Sequence, residues 1–117
     1  MTAAARADRV ALTEQLKALG VTRKSRPGRA LLRAVELGYI TELRCAMPVC
    51  ERGEDRRGDF KPYARPLPDW MWSAEHIIPR RLGGKLTADN VMLAHRGCNR
   101  EDFAKTVRKG KSRPLTP

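Results

Sequence analysis

The chain has 117 residues, 41% of them hydrophobic and 5% aromatic, with 24 Lys/Arg against 13 Asp/Glu. That is enough for one compact domain with a modest core, and the net charge of +11 suits a polyanionic partner. No run approaches the roughly 18 consecutive apolar residues of a membrane span, and Met1-Thr2-Ala3-Ala4-Ala5-Arg6 lacks the apolar centre of a signal peptide, so a cytoplasmic protein is expected.

Charge is unevenly spread. Residues 1 to 44 carry nine Lys/Arg and four Asp/Glu, residues 45 to 75 five and six, and residues 76 to 117 ten and three, giving +5, −1 and +7. Basic flanks around a neutral middle fit phosphate contacts, each of which releases condensed counterions. With so few aromatics the hydrophobic contribution is thin, and a bound metal is one way to supplement it.

Taken in order, Val10 to Leu19 reads as a helix, with Leu12, Leu16 and Leu19 on one face and Gly20 placed to end it. A second helix is expected from Pro27 or Gly28 to Leu37, capped by Ser25 or Arg26, with Pro27 in its first turn and Gly38 at its end. The basic run Arg23-Lys24-Ser25-Arg26 between them faintly resembles a helix-turn-helix linker, although two helices packing on a core explain the pattern more simply.

Tyr39 to Arg44 alternates well enough for a short strand leading to Cys45. Glu51 to Pro68, rich in charge, glycine and proline, reads as an extended surface loop. Trp70, Trp72, Ile77 and Ile78 then predict a strand ending at Pro79, Gly83-Gly84 a tight turn, and Val91-Met92-Leu93 a second strand. Arg96 to Val107 reads as a helix with Phe103 and Val107 on one side, followed by a basic tail too poor in apolar residues to fold alone.

Of two histidines and three cysteines, four fall into two pairs, Cys45-x4-Cys50 and His95-x2-Cys98. Two short-spaced pairs on separate segments make a complete tetrahedral set for a structural Zn2+, and in a reducing compartment such thiols read better as ligands than as disulfides. The alternative is three buried thiols acting as small hydrophobes, with His95 on the surface.

The remaining histidine lies in Ala74-Glu75-His76-Ile77-Ile78-Pro79-Arg80-Arg81-Leu82-Gly83-Gly84, followed by Asp89-Asn90-Val91 and His95-Arg96-Gly97-Cys98-Asn99-Arg100. This series resembles the HNH endonucleases: an acid and a histidine, two apolar residues and proline, a Gly-Gly turn, an asparagine before a short strand, and a cysteine followed by histidine or asparagine. It looks especially like their compact phage and prophage members. The resemblance covers about residues 43 to 103. It implies an α+β fold with a ββα-metal core beside a structural zinc and an N-terminal helical extension. The extension would span 1–38, the nuclease core 39–107 and the basic tail 108–117.

It further implies that His76 is the general base that activates water, its ordinary pKa near 6.5 suiting neutral pH. Asn90 would hold the loop and orient the imidazole, and Glu75 and Asn99 would give oxygen ligands to one Mg2+ or Mn2+ ion. Arg80, Arg81, Lys85, Arg96 and Arg100 flank these residues and are candidate phosphate contacts. The function implied is metal-dependent hydrolysis of DNA phosphodiesters, by nicking or by cleavage of duplex. Glu75 stands where aspartate is more usual and Asn99 where a histidine often stands. Those departures support a second reading, a zinc-stabilised DNA-binding module without catalysis; a third is a phage packaging accessory that works with a terminase.

Overall fold

The structure is a computed structural model and describes residues 3–98. Two helices, α1 (Ala3–Ala18) and α2 (Arg26–Leu37), precede an antiparallel hairpin of β1 (Trp72–His76) and β2 (Val91–His95). No helix among the described residues is long and apolar enough to cross a membrane.

Helix α1 begins seven residues before the expected Val10. Its first turns, rich in Ala and Arg, have high helix propensity but no apolar periodicity from which a start could be read. It buries Leu12 and Leu16, four residues apart, and stops at Gly20, whose φ of 95° lets the Val21 N–H donate to Leu16 O. Helix α2 opens where serine was expected to cap it: Ser25 is extended and its Oγ accepts from the Gly28 N–H at 3.0 Å, with Pro27 in the first turn. It ends on Gly38 in the left-handed region, with the Tyr39 N–H donating to Ala34 O.

The helices and the hairpin share one apolar core, formed by Leu12, Leu16, Val21, Leu31, Leu32, Val35, Val91 and Leu93, with Trp72 and Ala74 packed against it. The opposite face of the hairpin presents Met92 and Ala94 to a second cluster that contains Cys45, Met47, Cys50 and Cys98. Strand β2 is therefore covered on both sides, which is why Val91-Met92-Leu93-Ala94 is apolar throughout instead of alternating.

The expected strand over Tyr39–Arg44 does not form. The Tyr39 and Ile40 N–H groups turn back to Ala34 O, and backbone pairing with the hairpin is limited to the Ala46 N–H, which donates to Leu93 O at 2.8 Å. Strand β1 is shorter than expected: Trp70 precedes it, and Ile77 and Ile78 lie beyond it. The Glu51–Pro68 segment is irregular apart from a short 3-10 turn at Glu54–Arg56, as its composition predicts, yet it contains a buried arginine, Arg57. Residues 96–98 begin a helical stretch. The rest of the helix expected to Val107, the proposed site residues Asn99 and Arg100, and the basic tail lie outside the described residues.

Candidate metal centre and active site

Cys45, Cys50, His95 and Cys98 converge from three parts of the chain, and their ligand atoms all lie within 4.8 Å of one another. Cys50 Sγ is 3.4 Å from His95 Nδ1 and 3.6 Å from Cys98 Sγ, and Cys98 Sγ is 3.8 Å from the same nitrogen. A tetrahedral zinc with its usual bond lengths implies edges of roughly 3.8 Å between sulfurs and roughly 3.5 Å from sulfur to nitrogen, so these separations fit one ion. His95 is fully buried, against the surface position of the alternative reading. Its Nε2 lies 2.7 Å from Asp59 O, which can only accept, so Nε2 carries the proton and Nδ1 offers its lone pair to the centre.

Burial sets the charge states. It pushes the Cys45 thiol up to about 12, raises that of Cys98, and lowers the His95 imidazole. The histidine is thus neutral, as a ligand must be, while a bound cation would have to displace protons from the thiols.

Several residues that sequence reasoning missed build this centre. Arg57, 6% exposed, donates to the carbonyls of Cys45, Met47 and Pro48 and pairs with Glu54, while its own carbonyl accepts from the Cys45 N–H. One guanidinium thereby organises the wide Cys-x4-Cys turn. Nothing local in the sequence marks Arg57 among its basic neighbours. Arg52 runs across Gly97 to donate to Cys98 Sγ at 3.6 Å, and its guanidinium lies 3.9 Å from Asp69. A Cβ on Gly97 would come within 2.3 Å of Arg52 Nη2. Phe60 and Trp70 pack on the His95 ring at 4.5 and 5.6 Å.

At the other end of the hairpin, His76 is paired with Val91 and Glu75 with Met92. As neighbours on a strand, Glu75 and His76 point to opposite faces. Glu75 is 8% exposed and its Oε1 accepts from Ser73 Oγ at 2.6 Å, whereas His76 is half-buried. Asn90 closes this end. Its Oδ1 accepts from the Ile78 N–H at 2.7 Å, its Nδ2 donates to Ile78 O at 3.1 Å and Lys85 O at 2.8 Å, and its backbone O accepts from the Ile77 N–H. Both amide hydrogens thus go to the loop backbone. Gly84 is required by this closure, since a Cβ there would fall 1.8 Å from Ile78 O.

Arg80, Arg81 and Lys85 lie exposed on the loop that follows His76. Arg96 is engaged differently, donating to Asp69 Oδ1 and Leu67 O, both at 3.3 Å, so it braces the loop before β1. A cleft of about 530 Å³ runs between residues 39–48 and the hairpin, lined by Ile77, Met92 and Met47 among others.

Residues 65–103 match the family model described as HNH endonuclease. No curated protein and no solved structure matches the chain. The matched segment holds Glu75, His76, Asn90, His95, Cys98 and Asn99, while Cys45 and Cys50 precede it. What the comparison shows is similarity to the HNH endonucleases over residues 65–103, a third of the chain.

Proposed function

We propose that the chain is a divalent-metal-dependent endonuclease that hydrolyses DNA phosphodiester bonds, with a structural zinc at Cys45, Cys50, His95 and Cys98. The observation that carries the reading is the closed hairpin end, where Asn90 holds the loop at Ile78 and Lys85 and sets His76 opposite Val91 inside the HNH segment. Four protein ligands leave the zinc no open position, which fits a structural ion and leaves catalysis to the other end of the hairpin.

In this reading His76 is the general base. It takes a proton from water, the oxygen attacks phosphorus, and the bond to the leaving oxygen breaks as that oxygen gains a proton from solvent. Asn90 positions the loop. The hard carboxylate oxygens of Glu75 suit Mg2+ or Mn2+, and Asn99, outside the described residues, would complete the donor pair. When bound, such an ion supplies charge stabilisation at the scissile phosphate. Arg80, Arg81 and Lys85 would contact phosphates beside the site, with Arg100, also undescribed, a further candidate. Duplex DNA in a reducing cytoplasm is the expected setting, because thiols there persist as ligands.

The test is nicking of supercoiled plasmid with Mg2+ or Mn2+. Wild-type protein is expected to nick, and His76→Ala to lose cleavage while keeping DNA affinity. Cleavage by the variant would remove His76 from the role of base. One observation favours a second reading, a zinc-stabilised DNA-binding module without catalysis: Glu75 and His76 lie on opposite faces of β1. DNA binding with no metal-dependent nicking by the wild type would establish it.

A further inference from the structure

The cations of the helical extension divide into paired and unpaired groups. From residue 15 to residue 35 there is no Asp or Glu, yet the stretch holds Lys17, Arg23, Lys24, Arg26, Arg29 and Arg33. The two at its flanks are neutralised, Lys17 by Glu14 at 3.9 Å and Arg33 by Glu36 at 3.1 Å. The four between them, all exposed, form no ion pair with a described carboxylate. Arg29 instead donates to the carbonyls of Arg23 and Lys24 at 3.1 and 3.3 Å, which stiffens the turn and adds its charge there.

A second acid-free segment meets this turn. Residues 60–68 hold Lys61 and Arg65 without Asp or Glu, and the Tyr63 N–H donates to Leu19 O at 3.2 Å. Tyr63 is half exposed, and Arg65 lies over its ring at 5.8 Å while donating to its hydroxyl. The junction lies at the Trp72 end of the hairpin, because a Cβ on Gly20 would touch both Tyr63 and Trp72. Trp72 pairs with His95 and His76 with Val91, so β1 separates this patch from the proposed catalytic end by about 13 Å, or roughly four base-pair steps of duplex.

We propose that the α1–α2 turn, with the adjoining 61–65 loop, is a second and non-catalytic phosphate-binding surface that holds duplex DNA flanking the cleaved position. The inference rests on the nuclease reading for its partner. Arg23 shares a surface depression with Glu14 and Glu36, but those carboxylates are paired with Lys17 and Arg33. A concentration of cations without ion pairs is what a tracked phosphate backbone matches, and an ordinary solvated face carries interspersed charges of both signs, as α1 and α2 do at their paired positions.

The experiment uses the full zinc-loaded chain without magnesium and measures affinity against salt for a duplex of about 30 base pairs and for one of about 5 base pairs closed by a linker, which is too short to reach from the catalytic end to the patch. The test protein carries Arg23→Gln, Lys24→Gln and Arg26→Gln; the control carries Lys17→Gln and Arg33→Gln. On the long duplex the triple variant is expected to show a log–log salt slope shallower by roughly 2 to 3, at about 0.9 per phosphate contact, and at least a ten-fold weaker affinity near 0.15 M salt. The short duplex, centred on the catalytic end, should respond much less, and the control should match wild type. Each single substitution should change the slope by about 0.9, which covers the case of a triple variant that melts early. Wild-type binding with an unchanged slope in the triple variant overturns the inference and leaves the nuclease reading standing. Binding of neither duplex by wild type overturns both, and equal losses on both lengths overturn the flanking position.

Discussion

Replacing Asn90 by alanine removes the side chain that closes the hairpin end, and the structure sets the size of the effect. Three hydrogen bonds are lost, at 2.7, 3.1 and 2.8 Å, from a residue only 8% exposed. At about 1 kcal/mol net each, the total is about 3 kcal/mol. Ile78 is 45% exposed, so water can re-satisfy part of its peptide, and the expected loss is about 2 kcal/mol. For a domain of this length that is a fall in Tm of about 8 °C. Asn90→Asp should be worse despite its near-identical shape, because a carboxylate oxygen would replace the donor that faces the carbonyls of Ile78 and Lys85. Gly84→Ala should reproduce the defect, since its Cβ would fall against Ile78 O and Asn90 Nδ2. The assay is urea denaturation of zinc-loaded protein with plasmid nicking in parallel. An Asn90→Ala protein of full stability that no longer nicks would refute this account, because the amide would then be acting on the chemistry and not on the loop.

Protein purified without added metal is expected to contain about one equivalent of zinc, and a chelator should lower its melting temperature; less than half an equivalent, with melting insensitive to chelator, would count against the centre. In metal-free protein the Cys45 thiol, raised to about 12, favours the folded state below the ordinary thiol range; that contribution fades as pH rises toward 12, so the apo form should melt earlier above about pH 9. Arg57→Met leaves three carbonyls of the Cys45–Pro48 turn without their donor and should cost on the order of 3 kcal/mol, measured by denaturation with zinc present. Arg52→Gln should weaken zinc binding by ten-fold or more in competition with a chromophoric chelator, and Gly97→Ala, which displaces the same guanidinium, should do likewise; unchanged affinity in both would leave Arg52 as packing alone.

What the sequence announced was mostly local chemistry. Ser25, Pro27 and Gly38 delimit α2 because a cap, a fixed φ and a left-handed terminus act within four residues. The convergence of the two Cys/His pairs was equally legible, since a shared metal would constrain their spacing directly. What escaped depends on pairings that no pattern in the sequence encodes. Tyr39–Arg44 has strand-like alternation, but its first two N–H groups return to Ala34 O and the hairpin stays two-stranded. Arg57 looks like any loop arginine, and only the folded Cys45–Pro48 carbonyls give it a function. The expectation that Asn90 orients the imidazole was drawn from resemblance; the structure shows where the amide hydrogens go, to Ile78 and Lys85, which geometry alone could reveal.

The burial of β2 on both faces carries a consequence for how the hairpin finds its alignment. A one-residue slip normally drives apolar side chains into water and is rejected for that reason. Here Val91, Met92, Leu93 and Ala94 are each at most 4% exposed, so exchanging the two faces would swap one apolar pair for another and the pattern discriminates poorly. The decision passes to the polar residues at the two ends, the Asn90 amide, bonded across the hairpin to Ile78, and the His95 imidazole, bonded to Asp59 O in the observed alignment. An ion held at His95 therefore does more than join loops. By fixing one end of β2 it would favour Val91 as the residue opposite His76, and so would bear on the geometry of a proposed site it does not touch.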